Sequence, residues 1–429
     1  MIRAQVGSFS AKSALADSVR WFPEQVSTAP AVNTRKGQTL NLLLATWVSA
    51  INFWAWNMIG PLSTPYSERL SLDATSASVM VAMPILVGSL GRIVVGALTD
   101  RYGGRTMFIA ISVASILPVL AVGFAGSIDS YVLLLVFGFF LGIAGTVFAV
   151  GIPFANNWYD ASRRGFATGV FGMGMVGTAL SAFFTPRFVD WFGLMTTHVV
   201  VAIALAVTAL VCVAVMREAP AFTPNTDPVL PKLAAAAKLR VTWEMSFLYA
   251  IVFGGFVAFS NYLPTYIKAI YDFTTVDAGS RTAAFALAAV IARPVGGALS
   301  DRIPPKYVVL VSLGGTAAMA VVATLEPPPD FWSAVTFTAM ALFLGVGTGG
   351  VFAWVARRAP GNSVGSVTGI VAAAGGVGGY FPPLVMGATY DTVGEDYTFG
   401  LLLLAATAFA AFLYTVFRLG AHEPARTKT

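Results

Sequence analysis

The chain has 429 residues, of which 57% are hydrophobic and only 11% are charged, with a formal net charge of +6. Its mean hydropathy of +0.76 is typical of a protein that crosses a membrane several times and excludes an ordinary water-soluble domain. A single cysteine excludes a disulfide within the chain, and two histidines leave little for a metal site, so we expect no metal and no cofactor. The basic residues lie largely on alternate loops, which gives no support to a nucleic-acid partner.

Residues 1–36 are mixed in character and contain no apolar core of the kind found in a cleavable signal peptide, so we predict an N-terminal cytoplasmic tail. A polar, proline-bearing segment, 218–240, predicts a linker between two bundles, 37–217 and 241–419, and residues 420–429 predict a C-terminal tail. Twelve apolar stretches of spanning length are expected at 38–65, 76–99, 106–126, 130–155, 165–186, 196–217, 241–270, 278–300, 306–324, 331–355, 364–388 and 396–419. The pattern predicts an all-α membrane protein with twelve transmembrane helices.

The basic residues of the loops are strongly one-sided. One set of alternate loops and tails carries 20 Lys and Arg residues, whereas the other set carries four. Because Lys and Arg collect on the cytoplasmic side of a membrane protein, this bias predicts that both termini and the linker face the cytoplasm. We expect a multi-pass protein of the bacterial inner (plasma) membrane.

One ten-residue stretch occurs twice: RIVVGALTDR, residues 92–101, is echoed 201 positions later by RPVGGALSDR, residues 293–302. Each copy begins with an arginine inside an apolar helix, about 12 Å from the boundary of a hydrocarbon core roughly 30 Å thick. An arginine at that depth costs roughly 2.5 to 3.5 kcal/mol and normally faces a cavity or a partner. Two related halves would bring Arg92 and Arg293 to one central site, which implies a bound anion or acid.

The end of the first copy and the loop after it resemble a known loop motif. The segment GALTDRYGGR, residues 96–105, resembles the motif that proteins of the major facilitator superfamily carry between their second and third helices, and GALSDR, residues 297–302, resembles its weaker copy. The resemblance implies the major facilitator fold, with two pseudo-symmetric six-helix bundles. It also implies a gating role on the cytoplasmic side, rather than a mere solvated topology signal, for Gly96, Asp100, Arg101, Arg105, Asp301 and Arg302.

A second resemblance, to the nitrate/nitrite porter family, covers almost all of the helical chain. The paired arginines, the stretch FLYAIVFGGF at 247–256 and glycine runs at 172–177 and 374–383 are its motifs. It implies that Arg92 and Arg293 bind nitrate and nitrite. Met175 stands where the family usually has an Asn. The resemblance implies that this Asn helps to bind substrate, so the chain lacks one polar group of the family's site. The glycines imply sliding contacts between helices, with tight packing alone as the alternative, at Gly172, Gly174, Gly177, Gly375, Gly376, Gly378 and Gly379.

Aromatic residues are candidates for the walls of this site. Tyr249 and Phe253 lie one helical turn apart and share a face, so the first could donate a hydrogen bond while the second restricts size. Phe148, Phe53 and Asn57 are further candidates, although most of the 32 phenylalanines must pack or face lipid. A planar, bidentate guanidinium matches the planar face of nitrate or nitrite, whereas lysine offers only a point charge.

The acidic residues fall at helix ends or in loops, and none clearly lies at the membrane midplane. Proton-driven symporters commonly relay protons through intramembrane Asp, Glu or His residues, so this pattern favours exchange of one anion for another. We therefore predict a monomeric carrier of nitrate and nitrite that works by alternating access and is not an enzyme. The alternatives are a proton-coupled nitrate symporter, a carrier of small carboxylates such as oxalate or formate, and a non-transporting anion sensor.

Overall fold

The computed structural model describes residues 37–160, 163–220, 222–224, 228–329, 331–360, 363–392 and 396–419. The predicted tails, 1–36 and 420–429, lie outside the described residues. Within the described ranges, twelve helices are long and apolar enough to cross a membrane. Numbered α1 to α12 in chain order, they are Gln38–Leu70, Ala74–Tyr102, Gly104–Ser127, Tyr131–Trp158, Phe166–Phe192, Leu194–Ala214, Arg240–Tyr271, Thr275–Arg302, Pro305–Ala323, Phe331–Arg358, Val364–Tyr390 and Thr398–Leu419.

The predicted fold class is confirmed, since each predicted span overlaps one of these helices. The segment between α6 and α7 is not uniformly irregular, however, because it contains a helix at Val229–Ala237, called the linker helix. Pro231 falls in the first turn of that helix, where its missing N–H costs no intrahelical hydrogen bond. The prolines of the segment are therefore compatible with this helix.

Four spans lose regular α-helical geometry part of the way along. The α-helical part of α1 stops at Trp56 and resumes at Ile59, and that of α11 stops at Gly378 and resumes at Phe381. Short 3₁₀ segments interrupt α4 and α5 at Gly142–Thr146 and Met173–Met175. Such breaks interrupt the ladder of backbone hydrogen bonds, so a helix bends more easily at them. They are common near functional sites.

The two bundles meet on the side of the membrane opposite the linker, here called the far side. Near the far ends of α1 and α7, the Glu68 carboxylate lies 2.6 Å from the Lys268 ammonium, and the hydroxyls of Ser63 and Thr265 lie 2.5 Å apart. Between α5 and α8, Arg187 donates a 2.8 Å hydrogen bond to Ser280. These contacts join the bundles along their far-side halves.

The half of the membrane nearer the linker, the linker side, is different. A Cβ atom added to any of six glycines in the linker-side halves of α2, α5, α8 and α11 would meet no atom within 4 Å; they are Gly96, Gly169, Gly172, Gly297, Gly365 and Gly369. These four helices carry the repeated arginines and the glycine runs. The structure is therefore closed between the bundles on the far side and has space beside these helices on the linker side.

Candidate functional site

The two repeated arginines meet around one phenylalanine ring. Arg92 is only 3% exposed, and its guanidinium carbon lies 5.5 Å from the centre of the Phe253 ring. The guanidinium carbon of Arg293, from the other bundle, lies 5.2 Å from the same ring. The tertiary structure thus brings both arginines to one place between the bundles.

Most donors of these guanidinium groups have no acceptor. Arg92 donates one hydrogen bond, 3.2 Å long, from Nη1 to the carbonyl oxygen of Ala372, and Nη1 of Arg293 contacts the sulfur of Met175. The Nε and Nη2 atoms of both arginines and the hydroxyl of Tyr249 are buried and have no hydrogen-bond partner among the residues that the structure describes. Buried, unpaired donors on cations are costly, so this donor set fits a small anion with several acceptor oxygens.

Aromatic rings surround the arginines. Tyr249 and Phe253 are stacked with ring centres 4.9 Å apart, and Phe148 lies 6.3 Å from Phe253 and 5.3 Å from the Arg92 guanidinium carbon. Each cation over a ring face gains about 0.5 to 2 kcal/mol, which offsets part of the cost of burial. The rings also leave an anion few polar neighbours other than the arginines and Tyr249.

Phe53 and Asn57, the two other predicted residues, contact groups other than the arginines. Phe53 contacts Phe148 and Trp56 at ring-centre distances of 6.4 and 5.5 Å, so it stands behind the first row of rings. Asn57 lies at the break in α1 and approaches the carbonyl oxygen of Ser260 at 3.5 Å, across the contact between the bundles. This contact places Asn57 against α7 of the other bundle, and its role in binding an anion stays a prediction.

Phe256 was not among the site residues predicted from the sequence. Its ring centre lies 4.6 Å from the guanidinium carbon of Arg293. The ring centre of Trp56 lies 6.0 Å from the guanidinium carbon of Arg92, which is a more distant contact. The signal for Phe256 was its position three residues after Phe253, which places both rings on one helical face.

The glycine run of α11 allows close approach to α7 and α2. A Cβ on Gly375 would lie 3.0 Å from a ring carbon of Phe253, and one on Gly379 would lie 2.8 Å from Val257. A Cβ on Gly376 would lie 2.7 Å from Cβ of Ser89, in α2 of the other bundle. Gly378 packs equally tightly against Ala250. This run therefore lies in direct contact with helices that carry Arg92 and Tyr249.

The glycine run of α5 contacts α1 in the same way. A Cβ on Gly174 would lie 2.8 Å from the carbonyl oxygen of Thr46, and one on Gly177 would lie 2.8 Å from Cβ of Phe53. Gly172 differs, since a Cβ there would face open space. The pseudo-symmetric pairs Gly174 with Gly375 and Gly177 with Gly378 thus share tight environments, whereas Gly172 does not.

The loop motif lies at the linker-side ends of α2, α3 and α8. Asp100 is exposed and within electrostatic reach of Lys232 on the linker helix. The backbone N–H of Arg105 donates a 2.8 Å hydrogen bond to Glu218, whose burial raises the pKa of its carboxyl above the ordinary value. Of the other residues of the loop motif, Gly96 lies beside open space. The side chains of Arg101, Asp301 and Arg302 are exposed. The gating role expected for all of them stays a prediction.

Among the residues that the structure describes, no acidic side chain pairs with either site arginine. The buried carboxylate of Glu244, 5% exposed, lies near the linker-side end of α7. It forms ion pairs with Arg358 at 2.8 Å and Arg240 at 2.7 Å. The described part of the chain also contains no group of three or more His, Cys, Asp and Glu residues placed to hold a metal ion.

Comparison with known proteins shows the family to which the chain belongs. A family model described as Major Facilitator Superfamily matches residues 45–281 and 277–429. The chain is 72% identical over 389 residues to a Mycobacterium tuberculosis protein named probable nitrate/nitrite transporter NarK2, covering 91% of this chain and 98% of the relative. It is 31% identical over 421 residues to a Thermus thermophilus protein named probable nitrate/nitrite antiporter NarK1, covering 90% of this chain and 94% of the relative.

The fold also resembles that of a solved transporter. A bacterial homologue of the human lysosomal transporter Spinster, in an inward-facing and unoccupied conformation, matches with a TM-score of 0.68. The match covers 90% of this chain and 99% of the other, at 18% sequence identity. At that identity the likeness concerns the fold alone.

Proposed function

Because the chain belongs to the Major Facilitator Superfamily and is a nitrate/nitrite transporter of that superfamily, we propose that Arg92 and Arg293 bind the transported anion. The observation that carries the proposal is the pair of buried guanidinium groups, one from each bundle, with unpaired N–H donors around the Phe253 ring. Nitrate and nitrite are planar and offer oxygens that a guanidinium can bind in a bidentate way. Tyr249 supplies a neutral donor from the same helix as Phe253.

The anion acts as a bridge between the bundles. Arg92 belongs to the first bundle and Arg293 to the second, so an anion bound by both lowers the cost of bringing the two cations together. We assign the linker side to the cytoplasm from the Lys and Arg bias of the loops, and the membrane to the bacterial inner membrane. One chain supplies both arginines, so the proposed site is complete within a monomer, which is the working unit that we propose.

Exchange of one anion for another is the proposed mode. The donor set contains two fixed cations and, in the described part of the chain, no paired carboxylate that could release a proton. An empty site would have to pass between its inward and outward states with both cations unpaired, which raises the barrier. The name of the Thermus thermophilus relative, which includes the word antiporter, supports the same mode.

Uptake into proteoliposomes tests the substrate. Vesicles containing the purified protein and loaded with nitrite should take up labelled nitrate, and external nitrite should compete. Oxalate should compete weakly, because it is larger than nitrate and carries two charges, and formate, which is planar and compact like nitrite, is the stricter comparison. Strong uptake of formate or oxalate without uptake of nitrate would replace the proposal by the carboxylate carrier. Binding of nitrate without any uptake would favour the anion sensor.

A further inference from the structure

A cavity separate from the arginine cluster lies inside the second bundle. It has a volume of about 290 Å³ and is lined by side chains of α7, α9, α10, α11 and α12. Its lining is almost entirely apolar, and three of the large apolar side chains in the lining are exposed on the outer surface of the helices: Phe247 by 42%, Phe381 by 57% and Leu403 by 44%. The cavity therefore opens sideways toward the hydrocarbon.

One stripe of α7 leads from the linker-side surface into this cavity. Trp243, Phe247, Ile251, Gly255 and Phe259 follow one another at four-residue intervals, so each lies about one turn from the next along a row that winds slowly around the helix. The last four line the cavity, and Trp243 is 61% exposed. Phe259 lies about 28 Å along the helix from the first residue of α7, so the stripe reaches past the middle of a bilayer.

Cations lie at the linker-side end of the same stripe. Arg240 begins α7 with its side chain 65% exposed, and Lys238 precedes it with an exposed side chain. The indole N–H of Trp243 donates a 2.7 Å hydrogen bond to the carbonyl oxygen of Ala237, the last residue of the linker helix. A tryptophan beside basic residues at the end of a transmembrane helix is typical of the level of the lipid headgroups.

We propose that this groove and cavity bind one anionic phospholipid of the linker-side leaflet. Its phosphate lies beside Lys238 and Arg240, and one acyl chain passes Trp243 and Phe247 into the cavity. An apolar cavity of this size excludes water, and acyl chains are the apolar material that surrounds these helices. The binding does not depend on which anion the carrier moves.

The acyl chain would reach the break in α11. Gly378 and Phe381, which stand on either side of that break, both line the cavity. The segment just before the break carries Gly375, which contacts the rings of Tyr249 and Phe253. Lipid in the cavity is therefore placed to affect the movement of the helix that packs against the anion site.

Native mass spectrometry of the purified full chain, titrated with phosphatidylglycerol or phosphatidylcholine, tests the proposal. The wild type should retain one phosphatidylglycerol in preference to phosphatidylcholine. Ala408→Phe fills the cavity from α12 and should lose this lipid, whereas Val207→Phe, at the pseudo-symmetric position 201 residues earlier, should retain it. Lys238→Gln, at an exposed position that leaves the cavity intact, should weaken binding about fivefold.

Equal retention of phosphatidylglycerol by the wild type, Ala408→Phe and Lys238→Gln would overturn the site. Equal binding of both lipids by the wild type would overturn the role of the cations. If Ala408→Phe fails to fold, Lys238→Gln alone decides, since an unchanged affinity in that variant contradicts the proposed headgroup contact.

Discussion

The two site arginines are held by acceptors of different strength. Arg92 donates to a backbone carbonyl, whereas Arg293 contacts the thioether of Met175, which is a weak acceptor. Met175 stands where an Asn was expected from the family resemblance, and it is fully buried. We therefore expect an incoming anion to meet little competition at Arg293 and to be recognised mainly by the guanidinium groups themselves.

Arg92→Lys and Arg293→Lys should each raise the nitrate concentration needed for half-maximal uptake by about tenfold to a hundredfold. The physical reason is that lysine keeps the charge but loses the bidentate, charge-assisted hydrogen bonds. Arg69→Lys, in an exposed ion pair with Asp129, is the matched control and should behave like the wild type. Nitrate uptake into proteoliposomes measures the effect, and wild-type kinetics in either site variant would contradict the assignment.

At the scale of elements, the glycine runs fit α5 against α1, and α11 against α7 and α2, with no room for a methyl group. Gly174→Ala and Gly375→Ala should slow exchange by about fivefold to a hundredfold, because overpacking of a tight contact costs about 1 to 3 kcal/mol. Gly169→Ala and Gly369→Ala change the same two helices where the space is open, so they are the controls. Equal slowing in all four variants would assign the effect to helix propensity instead of packing.

The Glu68 and Lys268 pair joins α1 and α7 on the far side. Lys268→Glu places like charges there and should favour the outward-open state, by at most about fivefold because the pair is partly exposed. A membrane-impermeant maleimide would report this through Ser63→Cys, since Ser63 is 1% exposed and the native Cys212 is buried.

Adding Glu68→Lys to Lys268→Glu restores an opposite-charge pair and should return labelling at position 63 to its original rate. A charge-swapped pair that labels as fast as the single variant would mean that the pair does not hold the far side closed. The reporter without either charge substitution gives the reference rate.

At the scale of the whole molecule, the proposed exchange cycle requires both bundles to turn around a site that carries two cations. Nitrite trapped inside vesicles should therefore accelerate nitrate entry by at least about tenfold over vesicles that contain no transported anion. A pH gradient alone should drive little accumulation. If nitrate accumulated against its gradient in vesicles without a counter-anion whenever the outside was acidic, proton symport would replace exchange.

Much of the central site could be predicted before the fold was known, because a cation inside an apolar helix is conspicuous and its copy in the second half points to a shared centre. The stack of Tyr249 on Phe253 followed from their one-turn spacing. Phe256 was missed although it lies three residues after Phe253, because hydropathy alone does not show which face of α7 turns toward the arginines.

The sequence by itself determined the twelve spans, the relation between the halves and the two buried arginines, because a hydrocarbon core demands long apolar segments and makes each charge within them exceptional. Only the tertiary structure decided that the two guanidinium groups share one ring, that the bundles meet on the far side, and that Gly172 faces open space while Gly174 is packed. These features depend on contacts between residues that lie far apart in the sequence. Local hydropathy contains no information about such contacts.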